Sequence, residues 1–503
     1  MPPSLAAAFS TASSRLSPRA MPLVSIAIYL TVFGLWFALL SRAITSDTIF
    51  AWSVGLFYIA YDTALLLLIA RLTWPAVAAS WQSQAASAQA HISAIEASIS
   101  PATRPSLGVV IAAYNEATVL PETLAALCRQ TDLPDLILVV DDGSTDETAR
   151  VLAERFRLQI APQGEISAPS ETFPLLRVMR LPRSGKAEAL NAAIVELDTD
   201  IVVAIDADTA LAGDAIAAIR NAFAADPSLV AGGGLLAPVC DPGPLGRVLQ
   251  WFQTYEYIRS MVARFAWMRA ECLVLISGAF SAFRREALVR VGGFDTDSVV
   301  EDYELTHRLH RYSIEHGFGW RLQMIPGARA ATHAPGAFGA FLMQRRRWFA
   351  GYLQVQLWNR DIAGQRKFGS LGAMMMPIKA FDTLQPIYGF SAFLLLVAFL
   401  IAGKVSIVLT ALTIIAAKIA FDLLFNLWMV YVYRRVTGDR RSSRYGHVII
   451  ASVLEPFSFQ LLRQAGATWG WISFLTNRHR WGAQNRTTLG AAASPGAPAS
   501  QPR

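Results

Sequence analysis

LGVVIAAYNEATVLPETLAALCRQTDLPDLILVVDDGSTDETARVLAERF, residues 107–156, sets two short apolar runs, LGVVIAAY and LILVVDDG, against two amphipathic stretches, LPETLAALCRQ and TDETARVLAERF. The same alternation continues outward through LLRVMRL, KAEALNAAIVEL and IVVAIDAD, which ends at Asp208. Strand and helix in alternation predict a mostly parallel sheet with helices on both faces. This α/β domain is expected over residues 105–360, with the Gly/Pro/Ser-rich stretch 161–174 as a surface loop.

Composition changes on both sides of that domain. Of 503 residues, 53% are hydrophobic and only 16% charged, with mean hydropathy +0.37. Soluble proteins carry about 25% charged residues, so the balance points to a membrane. Apolar runs at 23–40 and 49–70 predict a hairpin of two membrane spans, the first read as a retained anchor. Residues 1–22 are expected to be a mobile tail, and 72–104 a connecting helix. After the α/β domain, 361–386 is expected to hold interfacial helices. Spans follow at 387–402 and 405–433. RRVTGDRRSSR comes next, with five arginines between 434 and 444. Positive charge accumulates on the cytosolic side of bacterial-type membranes. It agrees with Arg15 and Arg19, and predicts a cytosolic α/β domain on a multi-pass inner-membrane protein. The stretch 447–475, interrupted by Glu455, Pro456 and Arg463, is expected to be a broken hairpin or interfacial segment. Residues 477–503 are expected to be a disordered cytosolic tail.

The net charge of +7 and pI of 9.4 suit membrane lipid headgroups and a phosphate-rich substrate. They do not indicate nucleic acid, because no basic stripe with interleaved aromatics accompanies them. Cys128, Cys240 and Cys272 stand far apart, which excludes a CxxC zinc site and a disulfide framework.

Ligands of open α/β sheets bind beyond the carboxyl ends of the strands. Asp141 and Asp142 fall there, after LILVV, as do Tyr114, Asn115 and Glu116 after VVIAA. A carboxylate can accept hydrogen bonds from a base or ribose, and an aromatic ring can stack on the base. The plainer reading is a DG turn with a helix cap, which leaves the double acid without a reason. Asp206 and Asp208 follow IVVAI. With strand periodicity of two they project together, as a pair able to hold a divalent cation with substrate phosphates. The plainer reading there is a solvated strand end. Lys186 in RSGKAEALN lacks the glycine and Ser/Thr of a Walker loop but stands at a helix start, where it can meet a phosphate. Glu301 and Asp302 open the helical stretch EDYELTHRLHRY, where a carboxylate can take a proton from an acceptor hydroxyl, or merely favour the helix start. His307 and His310, without a glutamate partner, read as fillers. Gln344, Arg347 and Trp348 in QRRRWFAGY share one helix face. The arginine can grip a diphosphate and the tryptophan can carry a sugar ring. A basic helix lying on anionic headgroups would explain Arg345 and Arg346, but not this face. Lys418 and Asp422, at i,i+4 inside an apolar span, either neutralise each other or line a polar path.

In order, Asp141–Asp142, Asp206–Asp208, Glu301–Asp302 and Gln344–Trp348 resemble the motif series of the family 2 glycosyltransferases. The likeness is to their processive, membrane-integrated branch of cellulose, hyaluronan, chitin and poly-N-acetylglucosamine synthases. SGAFSAFRREALVRVGGF at 277–294 looks like their acceptor-side segment. The resemblance implies a GT-A fold and an inverting transfer of a sugar from a nucleotide diphosphate, UDP above all, to a growing polysaccharide. It implies that Asp141 and Asp142 contact the nucleotide, that Asp206 and Asp208 hold Mg²⁺ or Mn²⁺, and that Lys186 touches the phosphates. Asp302, beside Glu301, would be the general base, and Arg347 and Trp348 would bind diphosphate and acceptor. Val299–Val300 stand where relatives often carry a threonine beside the acid, which leaves acceptor placement open. The expected partners are a nucleotide-sugar donor, a glycan or lipid-linked acceptor and membrane lipids. Two alternatives stand beside this reading. One is a non-processive transferase acting on a lipid or polyprenyl phosphate. The other is a transporter or receptor with a degenerate nucleotide-sugar-binding domain.

Overall fold

A computed structural model describes residues 5–78, 104–439 and 443–476. Eight strands form one sheet in the order β3-β2-β1-β4-β7-β6-β8-β5. Their ranges are β1 Leu107–Ala113, β2 Leu136–Asp142, β3 Leu176–Leu181, β4 Ile201–Asp206, β5 Thr209–Leu211, β6 Leu229–Val239, β7 Phe280–Arg284 and β8 Arg321–His333. β1 through β4 pair in parallel, as do β6 and β8, whereas β7 and β5 run against their neighbours. The domain is thus the mostly parallel α/β sheet expected. Val109 and Ile111 of β1 bury into one core and Val110 into another on the opposite face, because a parallel sheet must be covered on both sides. The register sets Ala113 beside Asp141 and Ala112 beside Asp206, so three neighbouring strands end together at one edge.

The stretch 161–174 is more than a surface loop. Ser167 N donates to Val178 O at 2.8 Å and Ser170 N to Leu176 O at 2.9 Å, and both serines are buried. It runs along β3 and satisfies an edge that would otherwise be open.

The expected mobile tail at 1–22 is corrected over its described part. Leu5–Ala12 is a helix, and Arg15 behind it bridges Asp295 at 3.0 Å and Asp297 at 3.0 Å. Arg19 Nη2 donates to Glu315 at 2.9 Å. Composition gave no hint of this, since the partners lie about 280 to 296 residues away in the chain. Residues 79–103 of the expected connecting helix, and 477–503, lie outside the described residues.

Among the described residues, four helices are long and apolar enough to cross a membrane: Leu23–Thr45, Ile49–Pro75, Leu371–Ile401 and Val405–Thr437. The third begins well before residue 387, so most of the segment expected as interfacial belongs to it. Inside the bundle Lys379 pairs with Asp382 at 2.9 Å, Tyr61 Oη donates to Asp382 at 2.7 Å, and Pro386 is buried within a continuing helix. Residues 445–475 form two helices, Tyr445–Leu454 and Phe459–Leu475, broken at Glu455–Phe457. The second lies along the helix Phe338–Trp358. Gly466 and Gly470 let the backbones meet, since a Cβ on Gly470 would come within 2.8 Å of Phe349 Cβ.

Candidate active site

β4 stops at Asp206, and Ala207–Asp208 turn the chain into β5. The two aspartates therefore sit on a strand end and a turn, not on one continuous strand as periodicity suggested. Both still line a single cavity of about 510 Å³ with Lys186, Glu301 and Asp302. Lys186 opens the helix Lys186–Glu196 and reaches Asp206 Oδ1 at 2.6 Å and Glu301 Oε1 at 3.0 Å. Burial alone would lower its pKa, but Asp206 and Glu301, with Asp302 behind them, more than reverse this and hold it above the ordinary lysine value.

Asp302 lies in the first turn of the helix Glu301–His316. Its Oδ2 accepts the Gly278 N–H at 2.7 Å and its Oδ1 the Tyr303 N–H at 2.8 Å. Desolvation, then the charge of Glu301, push its pKa up; those N–H groups and Lys186 oppose the shift without cancelling it. Gly278 is required at this contact, because a Cβ there would stand 3.1 Å from Asp302 Cβ.

The opposite wall comes from the helix Phe338–Trp358, whose Gln344, Arg347 and Trp348 face the same cavity. Arg347 Nη1 lies 3.4 Å from Val299 O, which ties this helix to the segment before Glu301. Arg345 and Arg346 are both engaged by the chain itself. Arg345 forks onto Glu256 at 2.7 and 2.8 Å, and Arg346 lies over Trp469 at 4.9 Å, both beneath the helix Phe459–Leu475.

Tyr114, Glu116, Asp141 and Asp142 do not line this cavity. They occupy the adjoining corner at the ends of β1 and β2, where the chain itself occupies the carboxylates of Asp141 and Asp142. Asp142, buried, accepts Ser184 N at 2.7 Å and Gly185 N at 2.9 Å and pairs with Arg183. Asp141 accepts Ser144 N at 2.8 Å and Arg180 Nε at 3.3 Å. Exposed Tyr114 carries the Arg183 guanidinium 3.6 Å above its ring. Asn115, at φ +57°, accepts Thr145 N at 2.8 Å, while Glu116 N donates to Thr148 Oγ1 at 3.0 Å. This corner fixes the 183–185 loop that delivers Lys186, so it is joined to the cavity through one loop.

His307 and His310 are core residues. Each bonds a backbone carbonyl, Tyr303 at 2.9 Å and Leu273 at 2.7 Å, and burial lowers them to about 3 and about 4. The sequence reading missed Glu256 and Arg264, which line the cavity from the helix Pro244–Arg269. The Nε of Arg264 is buried without a hydrogen-bond partner, and burial keeps its pKa below the ordinary value against the pull of Asp302. Glu256, Ser260 and Arg264 recur every four residues and so share one face of this helix, but Arg247, Gln250, Gln253 and Arg259 elsewhere on it hide that stripe in the sequence.

A carboxylate cluster with one lysine, walled by a Gln–Arg–Trp face, defines a group-transfer site on an α/β sheet, and the family comparisons agree. Residues 108–292 match the model for glycosyl transferase family 2, and residues 201–432 the model for glycosyl transferase family group 2. The chain carries a glycosyltransferase family 2 domain with the GT-A fold. It is 29% identical over 250 residues to the poly-β-1,6-N-acetyl-D-glucosamine synthase of Staphylococcus aureus (strain COL), across 49% of this chain and 55% of that protein. With the synthase of Staphylococcus epidermidis it shares 28% over 284 residues, 56% of this chain and 62% of the relative. The match thus spans somewhat more than half the length of these curated relatives. Among solved structures, the mannosyltransferase PcManGT from Pyrobaculum calidifontis, in complex with GDP-Man and Mn²⁺, superposes with TM-score 0.45 at 22% identity. That alignment covers 79% of this chain and 99% of the mannosyltransferase. The chain is a glycosyltransferase whose catalytic domain is flanked by helices long and apolar enough to cross a membrane.

Proposed function

We propose that the chain transfers N-acetylglucosamine from its UDP derivative to a hydroxyl of a growing polysaccharide at the cytosolic face of the membrane, with inversion. The observation that carries this reading is the single cavity shared by Lys186, Asp206, Asp208, Glu301 and Asp302 on one wall and Gln344, Arg347 and Trp348 on the other. The sugar is taken from the staphylococcal relatives. The orientation rests on the arginines of 434–444 and on Arg15 and Arg19 contacting the catalytic domain.

In this reading Asp302 accepts the acceptor's hydroxyl proton as that oxygen bonds to the anomeric carbon and the diphosphate departs. Its raised pKa suits a base working near neutrality. Lys186 and Arg347 take up charge on the leaving diphosphate, and Trp348 supports the acceptor ring. Asp206 and Asp208 would hold a divalent cation, Mg²⁺ or Mn²⁺, which neutralises the departing diphosphate when bound. The residues fit such an ion. Lys186 already supplies a positive charge at 2.6 Å from Asp206. Among the described residues no set of three His, Cys, Asp or Glu side chains is placed to hold a metal ion by itself, so phosphate oxygens and water would complete the shell, as is usual for magnesium.

Product export is supported by further cavities. A space of about 260 Å³ adjoins the catalytic one at Glu256, Arg345, Trp348 and Tyr352. It shares Tyr58, Gln385, Arg463 and Gln464 with a third, of about 470 Å³, among the membrane helices. Purified full-length protein should convert UDP-N-acetylglucosamine into polymer, sized by gel or mass spectrometry, only with Mg²⁺ or Mn²⁺. Products one sugar longer than the acceptor would favour the non-processive alternative, and no turnover with any nucleotide sugar would favour the degenerate-domain reading.

A further inference from the structure

Trp348 lies at the mouth between the catalytic cavity and the one leading toward the membrane helices. An indole ring used as a platform must be held at a fixed tilt, and a long arginine does this only if its own head is fixed. Arg345 lies over Trp348 with its guanidinium carbon 4.6 Å from the ring centroid, and over Phe341 at 4.5 Å on its other side. That guanidinium is held by both oxygens of Glu256, at 2.7 and 2.8 Å, in a parallel fork. Both side chains are largely buried, 11% and 14% exposed, so solvent screens the pair little. The same Glu256 oxygen lies 3.5 Å from Arg463, on the helix Phe459–Leu475, and Arg463 lies 3.8 Å from Glu455 at the break before that helix. Glu256 is thus a carboxylate at which three helices meet beside the aromatic platform: Pro244–Arg269, Phe338–Trp358 and Phe459–Leu475.

We infer that Glu256 is a positioning residue for the acceptor glycan: by clamping Arg345 it fixes Trp348, and by drawing Arg463 it ties that platform to the helix closing the cavity. The inference rests on the proposed role of Trp348. It separates acceptor handling from donor chemistry: Glu256 and Arg345 line the same cavity as Lys186, Asp206 and Asp302 but are held by each other, with Arg463 beside Glu256.

Full-length Glu256→Gln, Arg345→Gln, the double variant and Trp348→Ala are assayed with UDP-N-acetylglucosamine and β-1,6-linked N-acetylglucosamine oligosaccharides. Thermal unfolding is recorded for each. Glu256→Gln should raise the acceptor KM about tenfold and shorten the products, with the donor KM within about twofold. Arg345→Gln should raise the acceptor KM as well, and the double variant should be no worse than the poorer single, since each single change already removes the Glu256–Arg345 fork. Additive losses, or a donor KM that rises as much as the acceptor KM, would overturn the inference. If Glu256→Gln unfolds, Arg345→Lys, which keeps the charge but not the fork, must give the same acceptor-specific rise. Normal acceptor KM in Arg345→Lys would also refute it. Trp348→Ala keeps the two ideas apart. If it leaves acceptor KM unchanged, the proposed role of Trp348 fails. If it raises acceptor KM while the Glu256 and Arg345 variants do not, only the clamp fails.

Discussion

Replacing Asp302 with asparagine tests the proposed base without emptying its place. Both oxygens of Asp302 accept backbone N–H groups, from Gly278 at 2.7 Å and Tyr303 at 2.8 Å. An amide can satisfy one of them with its oxygen and must turn its NH₂ toward the other. That mismatch costs about 1–3 kcal/mol of stability and leaves the side chain the same size. Loss of the base costs the chemical step about 10²–10⁴-fold, or roughly 2.7–5.5 kcal/mol of barrier at 1.36 kcal/mol per decade. The two effects are read by different instruments: Tm falls modestly, the rate of polymer formation collapses, and donor affinity measured by calorimetry holds. Asp302→Ala, which loses both hydrogen bonds as well, should be no slower than Asp302→Asn if proton acceptance is the role. The pH profile gives a second check. Desolvation and Glu301 raise the pKa of Asp302, so its basic form is lost as pH falls through a value above that of a free aspartate. The acid limb of kcat/KM should therefore lie above the ordinary carboxylate range and vanish from the residual rate of Asp302→Asn. Near-normal turnover by Asp302→Asn, or an unchanged acid limb, would refute the assignment.

Asp208→Ala should abolish transfer and, with it, the response to added Mg²⁺ or Mn²⁺, followed by titrating the metal into the assay. Lys186→Met leaves Asp206 and Glu301 facing each other without the cation that lies 2.6 and 3.0 Å away, so donor KM should rise at least tenfold in steady-state kinetics. Gly470→Val should lower Tm by the equivalent of about 1–3 kcal/mol, because its Cβ would crowd Phe349 Cβ at 2.8 Å and Arg346 O at 3.0 Å.

The parallel half of the sheet was legible because Val, Ile and Leu cluster in runs as short as the strands they make, two of which, β2 and β4, end in an aspartate. The residues of the cavity were legible because chemistry recurs at helix and strand ends. What escaped the reading depends on contacts remote in sequence. Arg15 finds Asp295 across 280 residues, and Asp142 caps a loop 42 residues on. The antiparallel strands β5 and β7 have only three and five residues, too few to carry a period. Asp206 and Asp208 reached the same cavity by a turn instead of a strand pleat, so the expected pairing came about through another geometry.

Lys418 looked like one half of an ion pair, and the structure gives it a second acid. Its ammonium lies 2.7 Å from Asp62 on the neighbouring span and bonds Asp422 on its own helix. Two carboxylates around one ammonium are not balanced as a pair, and all three face the 470 Å³ cavity that continues the line from the catalytic site. Lys418→Met alone leaves two acids facing each other in that cavity, which should lower Tm by more than any single acid-to-amide change. The triple variant Asp62→Asn/Lys418→Met/Asp422→Asn removes all three charges and should recover most of the lost stability. If the triad serves only as a clamp between spans, the triple variant will also release polymer normally. If it forms part of a polar wall along which a hydroxyl-rich chain moves, synthesis in detergent will persist while release across a proteoliposome membrane falls. We expect the second outcome, because the clamp reading accounts for one acid and leaves the other, and the space they face, without a reason.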